Sequence, residues 1–149
     1  MVLIFDGGNL VSQGFDTQQI LTQFQQMIPG LGWMHVKDYL SSKNAAETPG
    51  GYVDEESLDQ FVTADRGSTG HKGIFTELAK HLPDIKQRLN DRGVPGFFVD
   101  LEPHLRGGGQ FGGYSGPDGM GIALRGLCRV LDETGVSCHK KSYEDLQAE

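Results

Sequence analysis

Phe97-Phe98-Val99-Asp100-Leu101-Glu102-Pro103-His104-Leu105, running into Arg106-Gly107-Gly108-Gly109-Gln110-Phe111-Gly112-Gly113, is the stretch whose reading decides the fold. It starts as an apolar run of strand character, ends in a carboxylate and an imidazole, and then gives way to glycine. Strand side chains alternate, so Asp100, Glu102 and His104 share one face if the strand stays regular past Pro103, while Leu101 and Leu105 take the other. Three ionisable groups on one side of an apolar strand need a polar cavity, a metal ion or opposite charges if they are buried. The plainer alternative is a strand end whose acids meet solvent.

Working outward, the same design recurs. Val2-Leu3-Ile4-Phe5 is an apolar strand ending at Asp6, followed by the turn Gly7-Gly8-Asn9. Asp16 or Thr17 then caps a helix carrying Ile20, Leu21, Phe24, Met27 and Ile28 at helical spacing, and Pro29-Gly30 stops it. Gly32 to Tyr39 reads as a second strand with Trp33, His35 and Lys37 on one face. Phe61-Val62-Thr63-Ala64 reads as a short third strand ending at Asp65-Arg66-Gly67, after a polar connection with a short helix over Asp54 to Leu58. A helix from about His71 shows the stripe Ile74, Phe75, Leu78, Ala79 and Leu82, and Pro83 opens a further stretch with Ile85 and Leu89, ended by Gly93. After the Phe97 strand and its glycine loop, a last helix begins near Ser115-Gly116-Pro117 and runs to Gly135. The tail from Val136 is a short strand, a helix or a frayed end.

Four strand-then-helix units with apolar strands predict a parallel α/β fold, whose site lies at the carboxyl ends of the strands. That rule gathers Asp6, His35 to Asp38, Asp65-Arg66 and Glu102 to His104 on one rim. Carboxylate, imidazole and carboxylate form a ligand set for Mn²⁺, Mg²⁺, Co²⁺ or Zn²⁺. A histidine hydrogen-bonded in the core is the alternative for His35. Lys37, on the same face, requires an anionic partner if it points inward.

Composition narrows the function. One domain fits 149 residues, and 37% hydrophobic content suffices for a core. The net charge of −7 argues against a nucleic-acid surface. The longest apolar runs, Met1 to Phe5 and Phe97 to Val99, fall far short of the roughly 20 residues of a membrane span. No signal peptide precedes the first strand, so a cytoplasmic location is expected. Cys128 and Cys138 lack metal-ligand spacing and read as reduced thiols.

On Phe5-Asp6 with Asn9, His35-Val36-Lys37-Asp38, and Leu101-Glu102-Pro103-His104-Leu105 with Gly108-Gly109-Gln110-Phe111-Gly112-Gly113, the chain resembles the C-terminal half of the sugar phosphate isomerase/epimerase family, the xylose isomerase-like TIM barrels. The resemblance covers nearly the whole chain. It implies a partial (β/α)8 barrel, roughly strands 5 to 8 with their helices, since a whole barrel takes about 250 residues. It also implies a divalent metal held at strand ends, with Asp6, His35 and Glu102 matching the fifth-, sixth- and eighth-strand ligands. The glutamate that this family carries on its fourth strand has no counterpart in this sequence. The segment between His35 and Glu102 is longer than in the smaller epimerases, and Asp65, Arg66 and His71 within it can reach over the rim.

The activity so implied is isomerisation or epimerisation of a sugar, polyol or sugar phosphate by proton transfer next to a carbonyl. The metal polarises the oxygens, and Glu102 acts as ligand and as one proton-transfer group. Lys37, His104, Arg66 and Asn9 are the expected substrate contacts. Gly107 to Gly113 offers either a phosphate cradle, a lid or a tight turn. Two alternatives stand beside this activity: an inosose-type dehydratase on the same barrel, and an inactive half-barrel that pairs with a missing N-terminal half or another copy, since half a barrel leaves two bare strand edges.

Overall fold

The computed structural model of the chain describes residues 1–40, 61–104 and 117–138. The helix expected over Asp54 to Leu58, the glycine loop at Gly107 to Gly113 and the tail beyond residue 138 lie outside the described residues. The fold is mixed α/β, built on a parallel sheet of three strands in the order β1 (Leu3–Asp6), β2 (Leu31–Val36), β5 (Phe98–Leu101). The helices are α1 (Gly7–Ser12), α2 (Thr17–Met27), α3 (His71–Asn90) and α4 (Pro117–Thr134). Two further short strands, β3 (Asp38–Tyr39) and β4 (Phe61–Val62), form a separate antiparallel pair. The described residues form no closed barrel.

Local chemistry accounts for the elements. Asp16 caps α2, accepting from the Gln19 N–H at 2.8 Å while the Gln19 side chain accepts from the Asp16 N–H at 2.9 Å. This reciprocal pair satisfies two backbone donors that a helix start leaves open. Ile20 and Phe24 of α2 are fully buried, and the Phe24 ring meets Phe5 of β1 edge-on with centroids 4.9 Å apart. The helix α3 runs straight through Pro83 rather than restarting there. Ile74, Phe75 and Leu78 before the proline and Ile85 and Leu89 after it are all buried, and this packing offsets the missing N–H of proline. Near its C-terminus Arg88 donates to the carbonyls of Ile28, Pro29 and Leu31, tying α3 to the start of β2.

The expected third strand is a correction. Residues 61–62 alone are extended, and they pair antiparallel with residues 38–39 instead of joining the parallel sheet. Both edges of β2 are taken, by β1 and by β5, so residues 61–62 have no place beside β2 in that sheet. Phe61 is held instead by Tyr39, ring to ring at 5.2 Å and nearly perpendicular. Beyond it the chain turns at once, with the Arg66 N–H donating to the Thr63 carbonyl at 2.9 Å.

Register gives the sheet two unlike faces. Phe5, Met34 and Val36 point to the side packed by helices and are buried. Ile4, Trp33 and Phe98 form one row across the other face, with Ile4 52% and Phe98 39% exposed. Asp6, His35 and Asp100 form the next polar row on that same face, towards the carboxyl ends. No described helix is long and apolar enough to cross a membrane.

Candidate functional site

Backbone alternation and register assemble the site. Asp6 is the last residue of β1, and its carboxylate caps α1 by accepting from the Asn9 N–H at 3.1 Å and from Asn9 Nδ2 at 2.7 Å. His35 lies beside Asp6 in the sheet, and Asp100 lies on its other side. Glu102 follows β5 directly, and its N–H still donates to the Val36 carbonyl at 2.9 Å, so its side chain rises one row above Asp100. Lys37 rises likewise from the end of β2.

These side chains converge. His35 Nδ1 lies 3.1 Å from Glu102 Oε1 and 3.9 Å from Asp6 Oδ2. One ligand atom from each of Asp6, His35 and Glu102 falls within 4.8 Å of the others. The Lys37 ammonium bridges the two carboxylates, 2.9 Å from Asp6 Oδ2 and 2.9 Å from Glu102 Oε2. Burial acts to lower the Lys37 pKa, but hydrogen bonds and charge from Asp6 and Glu102 outweigh it and leave Lys37 raised. Burial acts to raise Glu102, and the Lys37 hydrogen bond and charge, with His35 and His104, overturn it and hold Glu102 below its ordinary value.

The donor set suits a cation. Two carboxylates and an imidazole are ligands that manganese, cobalt and zinc accept, and an ion roughly 2.1 Å from each donor brings donors about 3 to 4 Å apart. The separations from His35 lie in that range. Lys37 already supplies one positive charge to the carboxylates, so the same atoms serve a structural ion network as they stand.

The other expected contacts divide. Asn9, exposed beside the cluster, turns its Nδ2 to Asp6 Oδ2 at 2.7 Å. His104 stands near the cluster with φ of 37°, so the strand does not stay regular past Pro103, and its ring stacks on Phe61 at 5.1 Å. Burial, then the charge of Lys37, lowers the His104 pKa against the opposing pull of Glu102 and Asp6. Arg66 does not join: its side chain is 75% exposed, and its ion pair is with the adjacent Asp65 at 4.0 Å. Asp65 turns instead to Arg129 of α4, at 2.8 Å.

His71 is a further correction. It does not reach over the rim but lies buried, with Nδ1 2.9 Å from Asp38 Oδ2. The other oxygen of Asp38 accepts from the N–H groups of Tyr39 at 2.8 Å and Thr69 at 3.0 Å. This buried pair holds the start of α3 against the end of the Lys37 strand. Alternation already sent Asp38 away from the site face. Its partner, 33 residues on, carried no local signal.

A second unanticipated contact is Trp33 Nε1, which donates to Asp100 Oδ2 at 2.8 Å. The same oxygen faces His35 Nε2 at 3.7 Å. Alternation places both partners on the site face, but their meeting needs the register. Comparison with protein families, curated proteins and solved structures returns no match.

Proposed function

We propose that Asp6, His35 and Glu102 hold a divalent metal ion, and that the chain contributes this centre to an enzyme that isomerises or epimerises a sugar, polyol or sugar phosphate. The observation that carries the reading is the convergence of one imidazole and two carboxylates, from three neighbouring parallel strands, to within 4.8 Å at the strands' carboxyl ends. Loops at that end of parallel sheets carry the chemistry of such folds.

A bound ion supplies electrophilic polarisation of a carbonyl and the adjacent hydroxyl. The chain's own groups do the rest. Glu102 presents Oε1 towards His35 and Oε2 to Lys37, so Oε1 would hold the ion and Oε2, released from Lys37, would exchange the proton with carbon. Lys37 is a fixed donor whose positive charge stabilises an oxyanion next to the reacting carbon. His104, shifted towards its neutral form and stacked on Phe61, offers a substrate hydroxyl a hydrogen-bond partner at the rim. The row Ile4, Trp33 and Phe98 below the cluster, exposed at Ile4 and Phe98 and half-buried at Trp33, gives further strands an apolar face to cover, which supports assembly with a complementary half-barrel or a second copy.

The test is hydrogen exchange. Ketoses, aldoses and their phosphates are incubated with the manganese-loaded protein in D₂O, and the carbon next to the carbonyl is followed by NMR. Deuterium uptake abolished by chelation and by Glu102→Gln is the expected result. Uptake that survives exhaustive chelation rules the reading out, and loss of 18 mass units from the product marks dehydration instead.

A further inference from the structure

The ring of His35 faces carboxylates on both sides. Its Nδ1 looks at Glu102 and Asp6, while its Nε2 looks at Asp100 Oδ2, 3.7 Å away. Asp100 is the residue directly beside His35 in the neighbouring strand, so the backbone fixes their separation. The indole of Trp33 donates to that same Oδ2 at 2.8 Å, and Trp33 is two residues before His35 on the same face. Phe98 lies against the indole, with ring centroids 5.3 Å apart, which steadies the donor. Asp100 is thus aimed at His35 by a side chain that is not itself one of the three proposed ligands.

We infer that Asp100 is a positioning residue, which accepts the Nε2 proton of His35 and so presents the bare Nδ1 to a cation between Asp6 and Glu102. This rests on the metal reading above. A neutral imidazole carries one proton, and only the nitrogen without it can ligate. Nδ1 faces Glu102 Oε1 at 3.1 Å and Nε2 faces Asp100 Oδ2 at 3.7 Å, so Asp100 and the ring must draw closer for a full hydrogen bond. Ligation through Nδ1 requires the proton on Nε2, and Asp100 is the carboxylate on that side of the ring. Carboxylates behind ligating histidines act in this way, fixing both tautomer and ring orientation. Trp33 in turn holds Asp100, so a chain of contacts runs Phe98, Trp33, Asp100, His35.

The test is zinc affinity of the whole chain by calorimetry, for wild type, Asp100→Ala, Asp100→Asn and Trp33→Phe, with circular dichroism to confirm folding. The Asp100 side chain is 47% exposed, so its replacement leaves the core intact. Asp100→Ala is expected to weaken zinc binding about 10- to 100-fold. Asp100→Asn, which keeps an accepting oxygen, is expected to restore most of the loss, and Trp33→Phe to show a smaller loss than Asp100→Ala. NMR of zinc-loaded wild type is expected to show a His35 Nε2 proton protected from solvent exchange, and Asp100→Ala to lose that protection. Asp100→Ala binding within twofold of wild type overturns the inference while the metal reading stands. Asp100→Asn as weak as Asp100→Ala overturns the hydrogen-bond role in favour of charge alone. A folded wild-type chain that binds no zinc ends the metal reading, and this inference with it.

Discussion

The ammonium of Lys37 donates to Glu102 Oε2 at 2.9 Å, joining the ends of two adjacent parallel strands, and it reaches Asp6 on the third at the same distance. Only 10% of the Lys37 side chain is exposed. One cation therefore bridges two carboxylates that otherwise repel each other in a half-buried site, and offsets one of their two negative charges.

Lys37→Met separates folding from metal binding. Loss of two charge-assisted hydrogen bonds is expected to cost about 1–3 kcal/mol in urea unfolding with chelator present. Manganese or zinc affinity is expected to rise, because the competing positive charge is gone. Unchanged stability together with weaker binding would show that Lys37 does not hold these carboxylates.

The same pair shapes the pH dependence of stability. Glu102 lies below its ordinary value of 4.5, so its contribution is complete above that pH and is lost as pH falls through the lowered value. Lys37 lies above its ordinary value of 10.5, so its contribution is complete below that pH and is lost as pH rises through the raised value. For this pair alone, urea unfolding across pH is expected to show a plateau between these limits, on which His104, lowered from its ordinary value of 6.5, superimposes a loss of stability as pH falls below that value. In Glu102→Gln the acid limb should be shallower, and an identical acid limb would refute the assignment.

Asp6 caps α1, pairs with Lys37 and belongs to the proposed metal site, and two substitutions separate the cap from the charge. Asparagine caps helices about as well as aspartate, whereas alanine costs about 0.5–2 kcal/mol. Asp6→Asn is expected to retain the cap of α1 and to bind zinc at least tenfold more weakly, while Asp6→Ala loses both. Calorimetric titration and thermal unfolding read the two effects independently.

The Asp38 and His71 pair predicts a stability effect without direct contact with the cluster. A side chain at Gly67 would overlap the Asp38 carboxylate, so Gly67→Ala is expected to destabilise by about 1–3 kcal/mol. Asp38→Ala, which leaves the His71 ring and the N–H groups of Tyr39 and Thr69 without their acceptor, is expected to cost at least about 1–3 kcal/mol. Denaturant midpoints of the two variants check both values, and a neutral Gly67→Ala would contradict the packing described.

Short-range features of this protein are written in its residues. Alternation along a strand is imposed by the backbone, so Trp33, His35 and Lys37 share a face, as do Asp100 and Glu102, whatever their partners. The Asp16 cap and the buried stripes of α2 and α3 follow from helical spacing in the same way. Tertiary structure alone decided who stands beside whom. It paired His35 with both Asp6 and Asp100, filled the second edge of β2 with β5 rather than residues 61–62, and sent His71 to Asp38 instead of the rim. Register and strand order are settled by packing between segments far apart in the chain, where apolar faces compete for the same neighbour, and no local spacing carries that information.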